Sequence, residues 1–249
     1  MLNDITVIIP TSVLPSHPST AIIDETIASV RHHLPDCEII LQIDGLRSEQ
    51  IDRKADYDDY KTKVLHKCLT EWTNVLPIVF DEHSHQSTML KETIHLVKTP
   101  LLLYVEGDAP LVIDEFIDWQ KCIDFIYNGD ATTIRFHHEG VIPKEHEQLM
   151  LGSRNGFMRT TQWSQRPHLS TTLYYKEVVL PVLAPAVFIE DTFHGTVAND
   201  YTDNGRIGWL KHRLWIYYPN YTNIKRSYTT DGRQGGLKYT SDDLVWQNK

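Results

Sequence analysis

A chain of 249 residues with 41% hydrophobic content is long enough to bury a substantial core, and a globular protein is expected. The formal net charge of -9 argues against a non-specific nucleic-acid binder, and no run reaches the roughly 18 apolar residues of a membrane span. Three distant cysteines, Cys37, Cys68 and Cys122, read as reduced thiols and exclude a disulfide framework or zinc cluster. With no signal-like N-terminal segment, a cytoplasmic protein is expected, with peripheral membrane contact left open.

Four short, continuous apolar runs occupy the first half: ITVIIP (5–10), EIILQID (38–44), LPIVFD (76–81) and PLLLYVEGD (100–108). Continuous rather than alternating runs predict parallel strands buried on both faces. Between them lie three segments of helical spacing, STAIIDETIASVRHHL (19–34), DYKTKVLHKCLTEW (59–72) and STMLKETIHLV (87–97). In the first, Ile23, Ile27, Val30 and Leu34 share a face. The β-α-β-α alternation predicts an α/β fold with a mostly parallel sheet flanked by helices and right-handed crossovers. The charged stretch 46–61 reads as an exposed connection.

After residue 110 the pattern is mixed. VIDEFIDWQKCIDFIYNG (112–129) reads as one helix with Ile113, Phe116, Trp119, Ile123 and Ile126 in register and Gly129 as terminator. ATTIRFHH (131–138), GFMRTTQW (156–163) and APAVFIED (184–191) read as strands, YKEVVLPVL (175–183) as a short helix cut by Pro181, and DTFHGTVANDY (191–201) as a helix. No repeat or flexible linker interrupts the chain, so one domain over 1–249 is expected, with a binding half to about residue 110 and a mixed half beyond it.

Three of the four apolar runs end in acids: Asp44, Asp81, and the pair Glu106 and Asp108 separated by Gly107. In parallel α/β sheets, ligands bind outside the carboxyl ends of the strands, so these acids are expected to meet in one crevice. Two carboxylates this close repel unless solvated or bridged by a cation. Mg²⁺ and Mn²⁺ favour such oxygen ligands, completed by water and substrate phosphate. Charge is also unevenly divided: residues 1–149 carry 12 Lys and Arg against 25 Asp and Glu, residues 150–249 carry 12 against 8. An anion facing the second half and a cation in the first fit that division, as does ordinary uneven surface charge. Lys225 and Arg226 would suit a cationic loop over a diphosphate, or a plain surface loop, and DGRQGG (231–236) a mobile lid. The paired histidines of HSH (83–85) and FHHE (136–139) lack zinc-site spacing and read as solvated or hydrogen-bonded.

Together, ITVIIPTS, LQIDG, LLLYVEGDAPLV and FIEDTFHG, spread over residues 4 to 195, resemble glycosyltransferase family 2 and its GT-A (Rossmann-like) fold. The resemblance implies a donor nucleotide touching Thr11 and Ser12, with Asp44 on its base or ribose and Lys91 in the place of a donor-contacting basic residue. Asp108 and Glu106 stand where the family's Asp-x-Asp motif holds a divalent metal, Mn²⁺ or Mg²⁺, against the donor diphosphate; Glu at 106 departs from that motif. Glu190 and Asp191 match the family's Glu-Asp pair, with Asp191 as catalytic base and Glu190 its nearest substitute, and His194 beside them. The stretch WSQRPHLSTTLYYKEVV resembles the segment below the acceptor site and would contribute Trp163, Arg166 and His168.

The resemblance therefore implies a metal-dependent, inverting transferase with a nucleoside-diphosphate sugar donor, uridine-linked by preference, and a mixed acceptor-side portion. The acceptor would be a hydroxyl on a glycan, a lipid-linked glycan, a protein or a modified nucleic acid. The absence of a Gln-x-x-Arg-Trp motif argues against a processive synthase. Two other readings compete. A sugar nucleotidyltransferase would need a Gly-rich first loop, and PTSVLPSHPST (10–20) has no glycine. A non-catalytic nucleotide-sugar binding or scaffold protein with a degraded site is the other.

Overall fold

The computed structural model describes residues 2–139, 141–219 and 224–230. The four apolar runs form β1 (Ile5–Thr11), β2 (Glu38–Ile43), β3 (Val75–Val79) and β4 (Leu101–Tyr104). They alternate with α1 (Ala21–His33), α2 (Lys54–Thr70) and α3 (His85–Thr93). β1 pairs in parallel with β2 and β4, and β2 with β3. β1 and β4 are buried along their whole length, as continuous apolar strands require. β3 departs from that expectation because it is the sheet edge, where Leu76 and Val79 are each 40% exposed.

The second half adds α4 (Trp119–Tyr127), β5 (Thr133–Arg135), β6 (Met150–Arg154), β7 (Phe157–Thr160) and β8 (His168–Thr171). Then follow α5 (Thr172–Tyr174), a π-helical turn (Tyr175–Val179), α6 (Leu180–Val182), α7 (Ile189–His212, kinked at Gly205) and β9 (Leu214–Tyr217). All nine strands join one sheet in the order β3-β2-β1-β4-β8-β5-β9-β7-β6. β8 lies antiparallel between β4 and β5, with Tyr104 opposite His168 and His168 opposite Arg135. That insertion carries β5 to within two strands of the Glu106 turn.

Successive residues of the central strands face opposite layers. Val7, Ile9, Leu41 and Leu103 pack with Ile23, Ile27, Tyr60 and Ile123 of α1, α2 and α4. Ile8, Ile40, Leu102 and Tyr104 pack with Leu90 of α3, Tyr175, and Phe193 and Val197 of α7.

Three expected elements are corrected. Residues 112–118 are not helical: Val112 N–H is taken by Arg226 O at 3.0 Å, Phe116 is 77% exposed, and Asp118 caps a helix that starts only at Trp119. Gly129 does follow that helix with a positive φ of 77°. Residues 184–188 form no strand, because Val187 N–H donates to Ser87 Oγ and Ala186 N–H to Thr88 Oγ1, both at 3.0 Å, laying the segment across the start of α3. The stretch 46–61 is exposed over most of its first half, as expected, but it is a 3₁₀ turn (Ser48–Arg53) running into α2 and not a connection, anchored by buried Tyr57 and Tyr60. Among the described residues no helix is long and apolar enough to cross a membrane.

Candidate functional site

Two adjoining clefts open at the carboxyl ends of the central strands. The first, about 250 Å³, is lined by Thr11, Ser12, Asp44, Glu106 and Asp108 together with Arg47, Gln50, His83, Gln86 and Thr229. The second, about 400 Å³, is lined by Arg135, His137, Glu139, Gln162, Glu190 and Asp191. Glu106, Arg166 and Phe188 belong to both. Phe188, 44% exposed at the start of α7, stands at the junction with its ring perpendicular to His85, centroids 4.2 Å apart. Asp81 is exposed and lines neither cleft, so it does not join the other strand-end acids.

The Glu-Gly-Asp turn is built against β1. Gly107 N–H donates to Pro10 O at 2.9 Å, and Gly107 O accepts from Thr26 Oγ1 at 2.8 Å. A Cβ on Gly107 would stand 3.0 Å from Pro10 O and 3.1 Å from Thr11 Cβ, so glycine lets the turn approach the strand and holds both acids at the rim. Glu106 Oε1 accepts from Gln86 Nε2 at 2.7 Å. Burial, then the carboxylate of Asp108, hold the Glu106 carboxyl well above the usual carboxylate range, with Glu190 adding to both and Gln86 and Arg166 opposing. Asp108 O accepts from Thr230 N–H at 2.9 Å, which pins the segment 224–230 beside the turn.

Crowded carboxylates whose mutual repulsion disfavours ionisation are the donor set that a hard divalent cation relieves. Glu106 and Asp108 fit such an ion when diphosphate and water supply the remaining ligands. Among the described residues there is no group of three or more His, Cys, Asp or Glu arranged to hold a metal.

Asp44 lines the first cleft, and the structure gives it a duty the sequence does not show. Its Oδ1 accepts from Gly45 N at 2.9 Å and Ser84 N at 2.7 Å, its Oδ2 from His85 N at 3.1 Å, and His83 Nδ1 lies 2.9 Å from Oδ2. The buried carboxylate thus fastens the loop that carries His83, His85 and Gln86 into the cleft. Arg47 Nε donates to His83 Nε2 at 3.2 Å on the same rim.

A polar strut joins the clefts. Gln86 runs from Glu106 to Gln165, whose Nε2 donates to Gln86 Oε1 and, at 3.2 Å, to Tyr104 OH. Gln165 N–H donates to Glu190 Oε2 at 2.9 Å, and Gln165 Oε1 accepts from Glu190 N–H at 3.1 Å. Gln165 therefore satisfies a first-turn amide of α7 and orients the Glu190 carboxylate. Asp191 is exposed at that turn and faces the second cleft. His194 packs behind them, Nδ1 3.0 Å from Trp163 O.

Several sequence-named residues lie elsewhere. Lys91 is exposed on α3 and donates to Leu183 O at 2.5 Å, not into a cleft. Trp163 is 2% exposed and packs perpendicular to Phe193 at 4.7 Å, so it belongs to the core and not to an acceptor surface. His168 is 1% exposed between Tyr104 and Tyr175, and burial pulls its pKa down to about 4. Arg226 is buried against the Tyr217 ring while Lys225 faces solvent, and neither lines the clefts. Residues 231–236, read as a lid, lie outside the described residues.

Arg47, Gln86, Gln165, Phe188 and Arg135 line the clefts without any motif that marks them, and His137, expected to be solvated or hydrogen-bonded, is 5% exposed with neither ring nitrogen hydrogen-bonded. Only Arg135 and His137 left a signal, since both interrupt the apolar run TTIRFHH at alternate positions. The two histidines of that run part company: His138 Nδ1 meets Ser227 Oγ at 2.5 Å and its Nε2 Thr229 Oγ1 at 3.0 Å, while His137 faces the second cleft.

No protein-family model matches the sequence, and no curated protein matches it. Solved structures match the fold at low identity. S. aureus TarS (residues 1–349) in complex with UDP-GlcNAc aligns with a TM-score of 0.57 at 13% identity over 95% of this chain and 61% of that one. GalNAc-T7 with UDP, GalNAc and Mn²⁺ aligns with a TM-score of 0.52 at 11% identity over 94% and 46%. A UDP-glucose pyrophosphorylase complexed with UDP-glucose aligns with a TM-score of 0.53 at 8% identity, over 98% of this chain and 99% of that one. This chain thus spans about three-fifths of TarS 1–349. The mixed sheet flanked by helices, with its crevice beyond the parallel strands, is the GT-A type fold of nucleotide-sugar glycosyltransferases.

Proposed function

We propose that the chain is a metal-dependent, inverting glycosyltransferase that moves a sugar from a nucleoside-diphosphate donor, uridine-linked by preference, to a hydroxyl acceptor. The observation that carries this reading is the pair of adjoining clefts, one rimmed by Glu106 and Asp108, the other by Glu190 and Asp191, with Glu106 common to both. Thr11, Ser12 and Asp44 would border the nucleotide, and the diphosphate would lie on the Glu-Gly-Asp turn. A Mn²⁺ or Mg²⁺ ion held there would neutralise the charge that develops on the departing diphosphate. At the second cleft, Asp191 takes the proton from the acceptor hydroxyl as its oxygen bonds to the anomeric carbon. The bond from that carbon to the diphosphate oxygen breaks on the opposite side, which inverts the anomeric centre. Reduced cysteines suit a cytoplasmic setting for this reaction.

The test is calorimetric binding of UDP and GDP, each with Mn²⁺ and with chelator, to the wild type and to Asp108→Ala. Manganese-dependent binding is expected, weakened by at least about 100-fold in the variant, since removal of even indirect metal partners costs 10–100-fold. Binding that ignores both metal and substitution sinks the metal role. Failure of both nucleotides to bind supports the scaffold reading instead.

A second enzyme reading rests on one observation, the near-complete mutual coverage with the pyrophosphorylase structure. The glycine-free loop after β1 weighs against it. Arg53 fills that loop with donors to Leu14 O, Pro15 O and His17 O at 2.9, 3.1 and 3.1 Å. Release of a nucleoside triphosphate from UDP-sugar and pyrophosphate would favour this second reading.

A further inference from the structure

The floor of the second cleft holds a buried cation that forms no ion pair among the described residues. β5 and the two residues after it alternate their faces: Ile134 and Phe136 enter the core, while Arg135 and His137 line the cleft. Arg135 is only 4% exposed. Its guanidinium meets one neutral residue, donating from Nη2 to Gln162 Oε1 at 3.0 Å and from Nη1 to Gln162 O at 3.4 Å. Nε has no partner, and among the described residues no carboxylate oxygen comes within 4.0 Å of the group. Burial lowers its pKa to about 10, with the Glu190 and Glu139 carboxylates opposing and Arg166 adding to the fall, which leaves it charged at neutral pH. His137, 5% exposed beside it, has neither ring nitrogen hydrogen-bonded; Nε2 lies 3.1 Å from Glu139 Oε2 without forming a hydrogen bond. Burial and the two nearby guanidinium groups of Arg135 and Arg166 pull its pKa down to about 2, so the ring is neutral and offers one N–H.

A buried charge is ordinarily paired, because removing it from water costs more than packing an apolar side chain of the same size. The carboxylates of Glu190 and Glu139 attract Arg135 from beyond 4.0 Å but do not pair with it. Glu190 is engaged by Gln165, Glu139 stands near His137 and 3.9 Å from Arg166, and Asp191 is at the exposed helix start. The acids border the cleft and the unpaired donors lie at its floor. An oxyanion binding there would gain a guanidinium and an imidazole N–H at once, with Gln162 already holding the guanidinium in place.

Resting on the transferase reading above, we infer that the acceptor carries an oxyanion, a phosphate or a carboxylate, near the hydroxyl that takes the sugar, and that Arg135 and His137 bind it. The donor and its metal occupy the other cleft, so the two sites are separable by experiment.

The test is calorimetry with inorganic phosphate, glucose 6-phosphate, glucuronate and glucose, on protein saturated with Mn²⁺ and whichever of UDP and GDP binds. Wild type, Arg135→Met and Arg135→Lys are compared, each with its Tm. At least one of the anionic probes is expected to bind no less than tenfold more tightly than glucose, and the order of glucose 6-phosphate and glucuronate identifies phosphate or carboxylate. Arg135→Met is expected to erase the preference, keep nucleotide affinity, and show a Tm no lower than wild type because it removes an unpaired charge. Arg135→Lys is expected to keep part of the preference. Equal binding of glucose and the anions, or a preference that survives in folded Arg135→Met, overturns the inference. Unfolding of Arg135→Met with no preference in the lysine variant also overturns it, since the guanidinium would then serve the core. If no nucleotide binds, the transferase reading fails, and the anion preference is scored on the free protein.

Discussion

Asp191→Asn is expected to lower kcat for sugar transfer by roughly 10²–10⁴-fold, the range for loss of a positioned general base, with nucleotide binding and fold retained. The difference between neighbouring acids supports this choice. Glu190 Oε2 accepts from Gln165 N–H and the Glu190 backbone donates back to Gln165 Oε1, so this carboxylate is part of the strut between the clefts. Asp191 is exposed on the same helical turn and faces the second cleft, and its carboxylate accepts no hydrogen bond among the described residues. An acid at a helix start also interacts with the helix dipole, worth about 0.3–1 kcal/mol, and asparagine forfeits only that. Its Tm should therefore stay within a few degrees of wild type. Glu190→Gln still accepts the Gln165 N–H and is expected to lose about tenfold or less, below the range of a base. Steady-state kcat and KM with an accepted donor, alongside Tm, make the comparison. The reverse order, with Glu190→Gln inactive and Asp191→Asn active, would assign the base to Glu190.

Gly45→Ala should be among the most damaging single-methyl additions in the chain. A Cβ there would lie 2.2 Å from Glu82 C, 2.5 Å from Glu82 O and 2.6 Å from His83 N. All three are backbone atoms, so no side chain can turn aside. The displaced backbone belongs to the loop that Asp44 holds by the Ser84 and His85 amides, and through it the placement of His83 and Gln86. Overpacking of this kind costs about 3 kcal/mol or more, equivalent to a fall in Tm of roughly 6–12 °C for a chain of this size. Metal-dependent nucleotide binding should weaken together with stability. Gly195→Ala is the control, since a Cβ at that helical position meets nothing within 4 Å; it should be neutral or stabilise by up to about 1 kcal/mol. Thermal unfolding and nucleotide titration of both variants check the contrast, and a Gly45→Ala protein with unchanged Tm would refute the close-approach argument.

The sequence by itself determined the α/β alternation and the three central strands. A strand buried on both faces is apolar at most positions, and ITVIIP, EIILQID and LLLY carry that pattern without reference to distant residues, with Thr6 and Gln42 as buried polar interruptions. It also determined where acids would stand. Glu106, Asp108 and Asp44 follow such strands directly, and the carboxyl end of a parallel strand opens on the crevice. Glu190 and Asp191 were legible as a pair at a helix start, where an acidic residue is compatible with the local backbone.

Tertiary structure alone decided which of the remaining polar residues meet those acids. Trp163 and His168 have the chemistry of an acceptor surface, yet Phe193, Tyr104 and Tyr175 enclose them. Arg135 sits in a run that reads as core, yet β8, inserted antiparallel between β4 and β5, turns its face toward the second cleft. Asp44 is recognisable as a strand-end acid, but the three amides and the imidazole around it come from residues 45 and 83–85, set by the close approach of Gly45 to Glu82. Local pattern records whether a position suits a helix, a strand or a turn. Which face of β5 borders a cleft, and whether a buried cation finds a counter-ion there, depend on strand order and on contacts between residues far apart in the chain.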